Sequence, residues 1–123
     1  MPIIPAAHAP QFDLPGLNVR GLASPSRGAS ETSVWRLTLE AGNPGMPHSL
    51  TREEVFVAIS GTATATLDGH THLLSQGDAL IVPAGTEFSL ANHDEKPFEA
   101  VVAFPVGGQA VADGASFTPP WAE

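Results

Sequence analysis

Residues 55–74 read VFVAISGTATATLDGHTHLL, and this stretch decides the fold class. A β-branched and aromatic run over residues 55–60 stops at Gly61, and Thr62–Leu67 then alternates strictly between hydroxyl and apolar side chains. A period of two is typical of a β-strand. Asp68-Gly69 suits the positive φ angles of a two-residue hairpin turn, and residues 70–74 return as the partner strand. The stretch therefore predicts short consecutive strands joined by tight turns.

The same pattern continues outward in both directions. Residues 32–40 (TSVWRLTLE) alternate, and further strands are predicted at residues 18–23, 79–82, 88–91 and 98–104. The 12 glycine and 12 proline residues provide frequent turns, and no segment shows a convincing helical period. With 123 residues, the chain fits one all-β domain, either a sandwich or a barrel.

We divide the chain into three parts. Residues 1–16 are predicted to be an extended N-terminal arm, and residues 17–106 the barrel itself. Residues 107–123 are predicted to be a C-terminal tail that packs on the barrel or on a partner subunit.

Composition excludes several classes of function. There is no cysteine, so disulfides, thiolate metal sites and cysteine nucleophiles are ruled out. The formal net charge is −8 and the few basic residues form no cluster, which argues against binding to nucleic acid or to an anionic membrane. The first ten residues show neither the basic start nor the apolar run of a secretory signal. We therefore expect a cytoplasmic protein.

Two stretches resemble the two motifs of the cupin family. Gly42, His48, Glu54 and Gly61 match four of the five signature positions of the first motif, with Leu50 at the fifth. The second motif is matched at Gly77, Pro83, Gly85 and Asn92, with Phe88 at its remaining position. The resemblance implies a single cupin barrel, a jelly-roll-like double-stranded β-helix.

In the cupin family, two histidines and the glutamate of the first motif, with the histidine of the second, bind one divalent metal inside the barrel. The resemblance places His48 and Glu54 at two of these positions and Leu50 and Phe88 at the other two. Leucine and phenylalanine cannot coordinate a metal. The resemblance therefore implies a degenerate metal site and no bound cofactor.

Strand parity points His48, Leu50, Glu54 and Phe56 to one face, and Phe88 and Leu90 to one face of a later strand. The predicted pocket thus holds one imidazole and one carboxylate, His48 and Glu54, as candidate catalytic residues. Its apolar wall, which we expect to bind the ligand, consists of Leu50, Phe56, Phe88 and Leu90. An apolar pocket with few polar groups is typical of small-molecule sites.

Three interpretations of His48 and Glu54 stay open. They are a vestigial pair bonded to each other, a metal-free polar pair that orients a ligand or moves a proton on it, or two ligands of a weakly held divalent metal. The sequence accordingly predicts a small-molecule-binding cupin, with a metal-independent isomerase or cyclase as one hypothesis. The alternatives are a non-catalytic sensor or carrier and a metal-dependent enzyme with a reduced ligand set.

Four further predictions concern the assembly and other parts of the chain. A homodimer is expected, because exposed sheet edges are normally covered and the family is usually dimeric or larger. His70 and His72 are interpreted as a partly exposed strand face, and Gln109, beside two glycines, as a residue that could cap a pocket mouth. Trp35 and Phe104 are assigned to the core.

Overall fold

The computed structural model describes residues 3–123 and confirms an all-β architecture. Strands are short and follow one another through turns, and the described residues form twelve of them. Their bounds are β1 Gln11–Leu14, β2 Leu17–Ala23, β3 Thr32–Leu39, β4 Ser49–Leu50, β5 Glu54–Ser60, β6 Thr62–Leu67, β7 His70–Ser75, β8 Ala79–Val82, β9 Phe88–Ala91, β10 Phe98–Pro105, β11 Ala110–Ala112 and β12 Ala115–Phe117. Single 3-10 turns occupy Ala6–His8, Pro25–Arg27 and Pro120–Ala122.

The strands form two facing layers. One layer is a six-stranded sheet in the order β1-β2-β3-β10-β5-β8, which we call the large sheet. The opposite layer contains β7-β6-β9 and β12-β11-β4. These two groups meet at an antiparallel bridge, in which the N–H groups of His48 and Phe88 donate to each other's carbonyls at 3.0 and 2.8 Å. The consecutive hairpins and the long returns between layers are those of a jelly roll.

The predicted hairpin is confirmed. β6 and β7 pair from Thr62 opposite Ser75 to Leu67 opposite His70. Asp68 and Gly69 take φ angles of 47° and 82° in the turn between them. Such angles are accessible to glycine and tolerated by aspartate, which explains why this dipeptide marks the turn.

The core fills the space between the layers, and alternation along each strand supplies it. On β5 the side chains of Glu54, Phe56 and Ala58 are buried while their neighbours are more exposed. β10 buries every second residue from Phe98 to Phe104 in the same way. A period of two in the sequence therefore becomes an inward and an outward face.

The two ends of the chain are more structured than the sequence predicted. Residues 1 and 2 of the predicted arm lie outside the described residues, and Gln11–Leu14 pairs with β2 instead of extending away. The predicted tail contains the β11–β12 hairpin, and β11 also pairs with β4. Trp121 then packs on the same barrel, with ring centroids 6.3 Å from Trp35 and 6.0 Å from Phe12.

Candidate functional site

Glu54 is a carboxylic acid placed inside an apolar barrel. It is the first residue of β5, opposite Val82 of β8, and its side chain shares the inward face with Phe56. Only 5 % of its surface is exposed. Burial raises the pKa of the Glu54 carboxyl from 4.5 to about 8, because a charged carboxylate loses its hydration in the barrel. At neutral pH the carboxyl is therefore mostly protonated and able to donate a hydrogen bond.

His48 lies at the edge of the barrel and is half-buried. Its Nδ1 atom is 2.9 Å from the carbonyl oxygen of Met46. A carbonyl oxygen can only accept, so this contact is a hydrogen bond when Nδ1 carries the proton, which leaves Nε2 of the neutral ring as an acceptor. The other side of the imidazole faces the ring of Phe88, with centroids 4.4 Å apart.

His48 and Glu54 do not form a pair. Within residues 3–123, neither a hydrogen bond nor an ion pair joins the imidazole to the carboxyl, and the imidazole is held by Met46 instead. Burial is the cause of the raised pKa of Glu54, with no contribution from a neighbouring charge. The two polar groups therefore occupy separate positions in the barrel.

The predicted apolar wall is buried and continuous. Leu50, Phe56, Phe88 and Leu90 are between 2 % and 9 % exposed. The rings of Phe56 and Phe88 meet edge to face at 5.9 Å. Phe88 thus contacts both the imidazole of His48 and the ring of Phe56, which shares the inward face of β5 with Glu54.

Two clefts open on the surface near this wall. The first, of about 410 Å³, is lined by His48, Ser49, Glu87 and Asp113, among others, and we call it the His48 cleft. The second, of about 440 Å³, is lined by Leu67, His72, Leu74 and Leu80. None of Leu50, Glu54, Phe56, Phe88 and Leu90 lines either cleft.

The donor set does not fit a resident divalent metal. In the part of the chain that the structure describes, no three side chains of histidine, aspartate or glutamate are grouped so that they could hold one ion. Zinc sites use three or four protein ligands, and His48 with Glu54 would offer two. Leu50 and Phe88 are buried hydrocarbon at the remaining motif positions.

Sequence analysis missed part of the His48 cleft. Two acidic residues of this cleft, the exposed Glu87 and Asp113, are not among the site residues that the motifs identify. Asp113 and Gly114 form the β11–β12 turn with φ angles of 51° and 75°, the same chemistry as at residues 68 and 69. That Asp-Gly dipeptide was the signal that could have predicted this hairpin.

Gln109 has a structural contact near Glu54. Its backbone N–H donates to Oγ1 of Thr51 at 2.8 Å, and its carbonyl accepts from the N–H of Thr51 at 2.9 Å. These bonds attach the segment before β11 to the bend that leads into β5. Trp35 and Phe104 belong to the core, as predicted, with ring centroids 6.1 Å apart.

The same architecture is found in solved structures. The polyketide cyclase RemF from Streptomyces resistomycificus has 16 % sequence identity, covers 97 % of this chain and 89 % of its own, and gives a TM-score of 0.81. An RmlC-like cupin from Shewanella frigidimarina covers 84 % and 88 %, with 17 % identity and a TM-score of 0.72. A cupin sugar phosphate isomerase from Silicibacter pomeroyi covers 80 % and 67 %, with 22 % identity and a TM-score of 0.66. At these identities the likeness concerns the fold alone.

Sequence comparison leads to the same family. A putative mannose-1-phosphate guanylyltransferase from Vibrio cholerae is 33 % identical over 72 residues, which are 55 % of this chain but 15 % of that protein. No helix within residues 3–123 has the length and hydropathy that crossing a membrane requires. The family model described as "Cupin domain" matches residues 35–104, more than half of the chain. By this match and by its jelly-roll fold, the chain belongs to the cupin family.

Proposed function

We propose that this cupin binds a largely apolar small molecule with one polar end, and that Glu54 exchanges a proton with that end. The observation that carries the proposal is a carboxyl buried in an apolar barrel, whose pKa is raised to about 8. Burying an ionisable group without a partner costs stability, so such groups are enriched at functional sites. A pKa near the working pH is also what general acid–base catalysis needs.

The neighbours of Glu54 define the class of ligand. Val82 lies opposite it, and Phe56 follows on the same face. Hydrocarbon of this kind favours apolar contact by about 25 cal/mol per Å² of buried surface. A protonated carboxyl adds one hydrogen-bond donor, which suits the carbonyl or enolate oxygen of a cyclic or aromatic ketone. Proton transfer to such a group is the chemistry of an isomerisation or a cyclisation.

In this proposal the ligand passes His48 and Phe88 on its way to Glu54. The His48 cleft is the entrance, and its imidazole Nε2 accepts a hydrogen bond from the polar part of the incoming ligand. The ring of Phe88, which lies 4.4 Å from the imidazole of His48, turns aside in this proposal so that the ligand reaches the carboxyl. No step uses a metal, because the side chains at the four motif positions do not fit one. The solved cupins that resemble this chain include a polyketide cyclase, which is compatible with a ketone ligand.

A non-catalytic carrier is the second candidate. The observation that favours it is the separation of His48 from Glu54, which leaves Glu54 without an adjacent base. The same ligand class would then bind without being changed.

Deuterium exchange separates the two candidates. A set of cyclic and aromatic 1,3-dicarbonyl compounds is screened first for a rise in melting temperature, and those that bind are incubated with the protein in D₂O. The enzyme hypothesis expects NMR to show deuterium entering the acidic C–H position faster than in buffer alone. This acceleration should be lost in Glu54→Gln and retained in Glu53→Gln. Glu53 is the matched control because it is the exposed neighbour of Glu54.

Each outcome decides between the hypotheses. Binding without exchange above the rate in buffer supports the carrier, while accelerated exchange that survives in Glu54→Gln contradicts the role of this carboxyl. If no member of the set binds, but charged sugars or phosphates raise the melting temperature, the ligand class is wrong.

A further inference from the structure

The second surface cleft lies between two sheet edges that have no partner strand. Among the described residues β7 pairs with β6 alone and β8 pairs with β5 alone, so no ladder joins β7 to β8 across the barrel wall. Residues 76–78 connect the two strands in a tight turn, from which β7 and β8 diverge into opposite layers. The cleft is therefore an opening in the side of the barrel that this turn bounds at one end. We call it the β7–β8 slot.

The wall of the slot is mostly hydrocarbon. Leu67 of β6, Leu74 of β7 and Leu80 of β8 line it together with Ala65. Ala65 and Leu74 are buried, and Leu67 and Leu80 are half-buried. The volume of about 440 Å³ falls within the range of about 300–1,000 Å³ that small-molecule sites occupy. The slot therefore has the size and the lining that suit the apolar body of a small ligand.

The slot is separate from the site described above. It shares no lining residue with the His48 cleft. Leu80 lies opposite Phe56 in the β5–β8 ladder, and Leu67 lies opposite Phe88 in the β6–β9 ladder. The slot is therefore lined by the neighbours of the apolar wall and not by the wall itself. A ligand in the slot uses none of the groups on which the proposed function rests.

Two polar side chains line the slot without a charged partner. The Oδ2 atom of Asp78 accepts a hydrogen bond from the backbone N–H of Ser75 at 2.8 Å, and its Oδ1 atom has no partner within residues 3–123. Over the same residues the imidazole of His72 forms neither a hydrogen bond nor an ion pair, and Asp78 is not its partner. A carboxylate can only accept hydrogen bonds, and neutral imidazole offers one acceptor nitrogen. The two side chains together therefore suit a ligand group that donates.

Charge selects among the possible donors. The net charge of −8 attracts cations to the surface of this chain and repels anions. A hydrogen bond from an ammonium group to a carboxylate is also stronger than one between neutral groups. We propose that the β7–β8 slot binds a primary amine with an apolar body. Its ammonium group donates to Oδ1 of Asp78 and to the imidazole of His72, and its hydrocarbon packs on Leu67, Leu74 and Leu80.

Three compounds with the same aromatic body test the assignment of charge. Phenethylamine carries an ammonium group, phenethyl alcohol a neutral hydroxyl and phenylacetate a carboxylate. Calorimetry near neutral pH should show saturable binding of phenethylamine at millimolar concentration and no binding of phenylacetate. Phenethyl alcohol should bind about fivefold more weakly than the amine, which is the scale of one exposed ion pair. Added salt should weaken the binding of the amine and leave that of the alcohol unchanged.

Substitution of a single carboxylate locates the bound amine. Asp78→Asn removes the charge but keeps an oxygen that can accept from Ser75, and it should weaken phenethylamine binding about fivefold. Asp94→Asn is the matched control. The Asp94 carboxylate also accepts a backbone N–H, that of Glu95 at 2.7 Å, but it does not line the slot. This control should bind phenethylamine as the unaltered protein does.

A second variant keeps the proposal testable if Asp78→Asn folds poorly. Residue 72 is exposed, and His72→Ala should weaken phenethylamine binding about threefold, the scale of one exposed hydrogen bond. The imidazole C–H resonances that disappear in this variant belong to His72, and in the unaltered protein the amine should shift them more than those of His48.

Four results overturn the proposal. They are an absence of phenethylamine binding at millimolar concentration, binding of phenylacetate or phenethyl alcohol as tight as that of the amine, an amine affinity that neither Asp78→Asn nor His72→Ala lowers, and shifts confined to the resonances of His48.

Discussion

The buried carboxyl of Glu54 should make the stability of this protein depend on pH in an unusual direction. In the folded state its pKa is raised from 4.5 to about 8, whereas in the unfolded state it keeps its ordinary value. Between these values the unfolded chain loses the proton and the folded chain retains it, so the folded state binds more protons. The free energy of unfolding therefore falls as pH rises. The stabilisation that the neutral carboxyl of Glu54 provides is fully present below pH 4.5 and is lost as pH rises through about 8.

The magnitude follows from the same two values. Each pH unit between them costs about 1.4 kcal/mol, so the loss from pH 4.5 to about 8 is at most about 5 kcal/mol. Glu54→Gln has nearly the same shape but cannot ionise. Its buried amide adds a penalty of about 1–3 kcal/mol that does not change with pH. We expect the variant to be less stable than the unaltered protein at pH 5 and more stable at pH 9.

Urea unfolding between pH 5 and pH 9 measures this effect. Trp35, which is buried, and Trp121, which packs on it, provide the fluorescence signal. The free energy of unfolding of Glu54→Gln minus that of the unaltered protein should rise from a negative value at pH 5 to a positive value at pH 9. The same difference for Glu53→Gln should stay constant. If the difference in free energy of unfolding for Glu54→Gln stays constant across this pH range, the prediction is wrong, because the Glu54 carboxyl then titrates alike in the folded and unfolded states.

Three further outcomes follow from individual contacts. Asn92→Ala should lower the free energy of unfolding by about 3 kcal/mol in urea titrations, because the Asn92 amide donates to two backbone carbonyls at 3.0 and 2.8 Å; an unchanged midpoint would contradict this. Gly61→Ala should cost about 2 kcal/mol or more in melting experiments, since φ is 76° and a Cβ would lie 2.4 Å from a carbonyl oxygen. The double variant Leu50→His with Phe88→His should bind about one equivalent of Zn²⁺ by calorimetry, because residue 88 faces the imidazole of His48. A folded double variant that binds no more zinc than the unaltered protein would show that the motif positions do not converge.

Local pattern was sufficient to predict most of the strands of this chain. The alternation in Thr62–Leu67 and the Asp-Gly turn after it predicted a hairpin that the structure confirms, because both features depend on residues adjacent in sequence. The ends were underestimated for the same reason. Short segments such as Gln11–Leu14 become strands through pairing with a neighbour, and their own sequence carries little periodicity.

The candidate site was only partly accessible from the sequence. Strand parity predicted that Leu50, Glu54, Phe56 and Phe88 point inward, and all four are buried. Parity predicts which face of its strand a side chain occupies, but it does not predict which side chains of different strands meet inside the barrel. It therefore could not show that His48 bonds to Met46 and faces Phe88, forty residues later, instead of pairing with Glu54.

The sequence by itself determined the strand pattern, the turns and the family, because these follow from local periodicity and from motif spacing. Parity divided the apolar residues of each strand between two faces, and only the tertiary packing decided how deeply each face is buried. Val55 and Val57 are as hydrophobic as the buried Phe56 between them, so the sequence of β5 shows a continuous apolar run. The pairing of β5 with β8 and β10 places one set inside the barrel and the other on the outer face of the large sheet. The same packing removed water from Glu54 and left Glu53 hydrated, although the two adjacent residues have the same side chain.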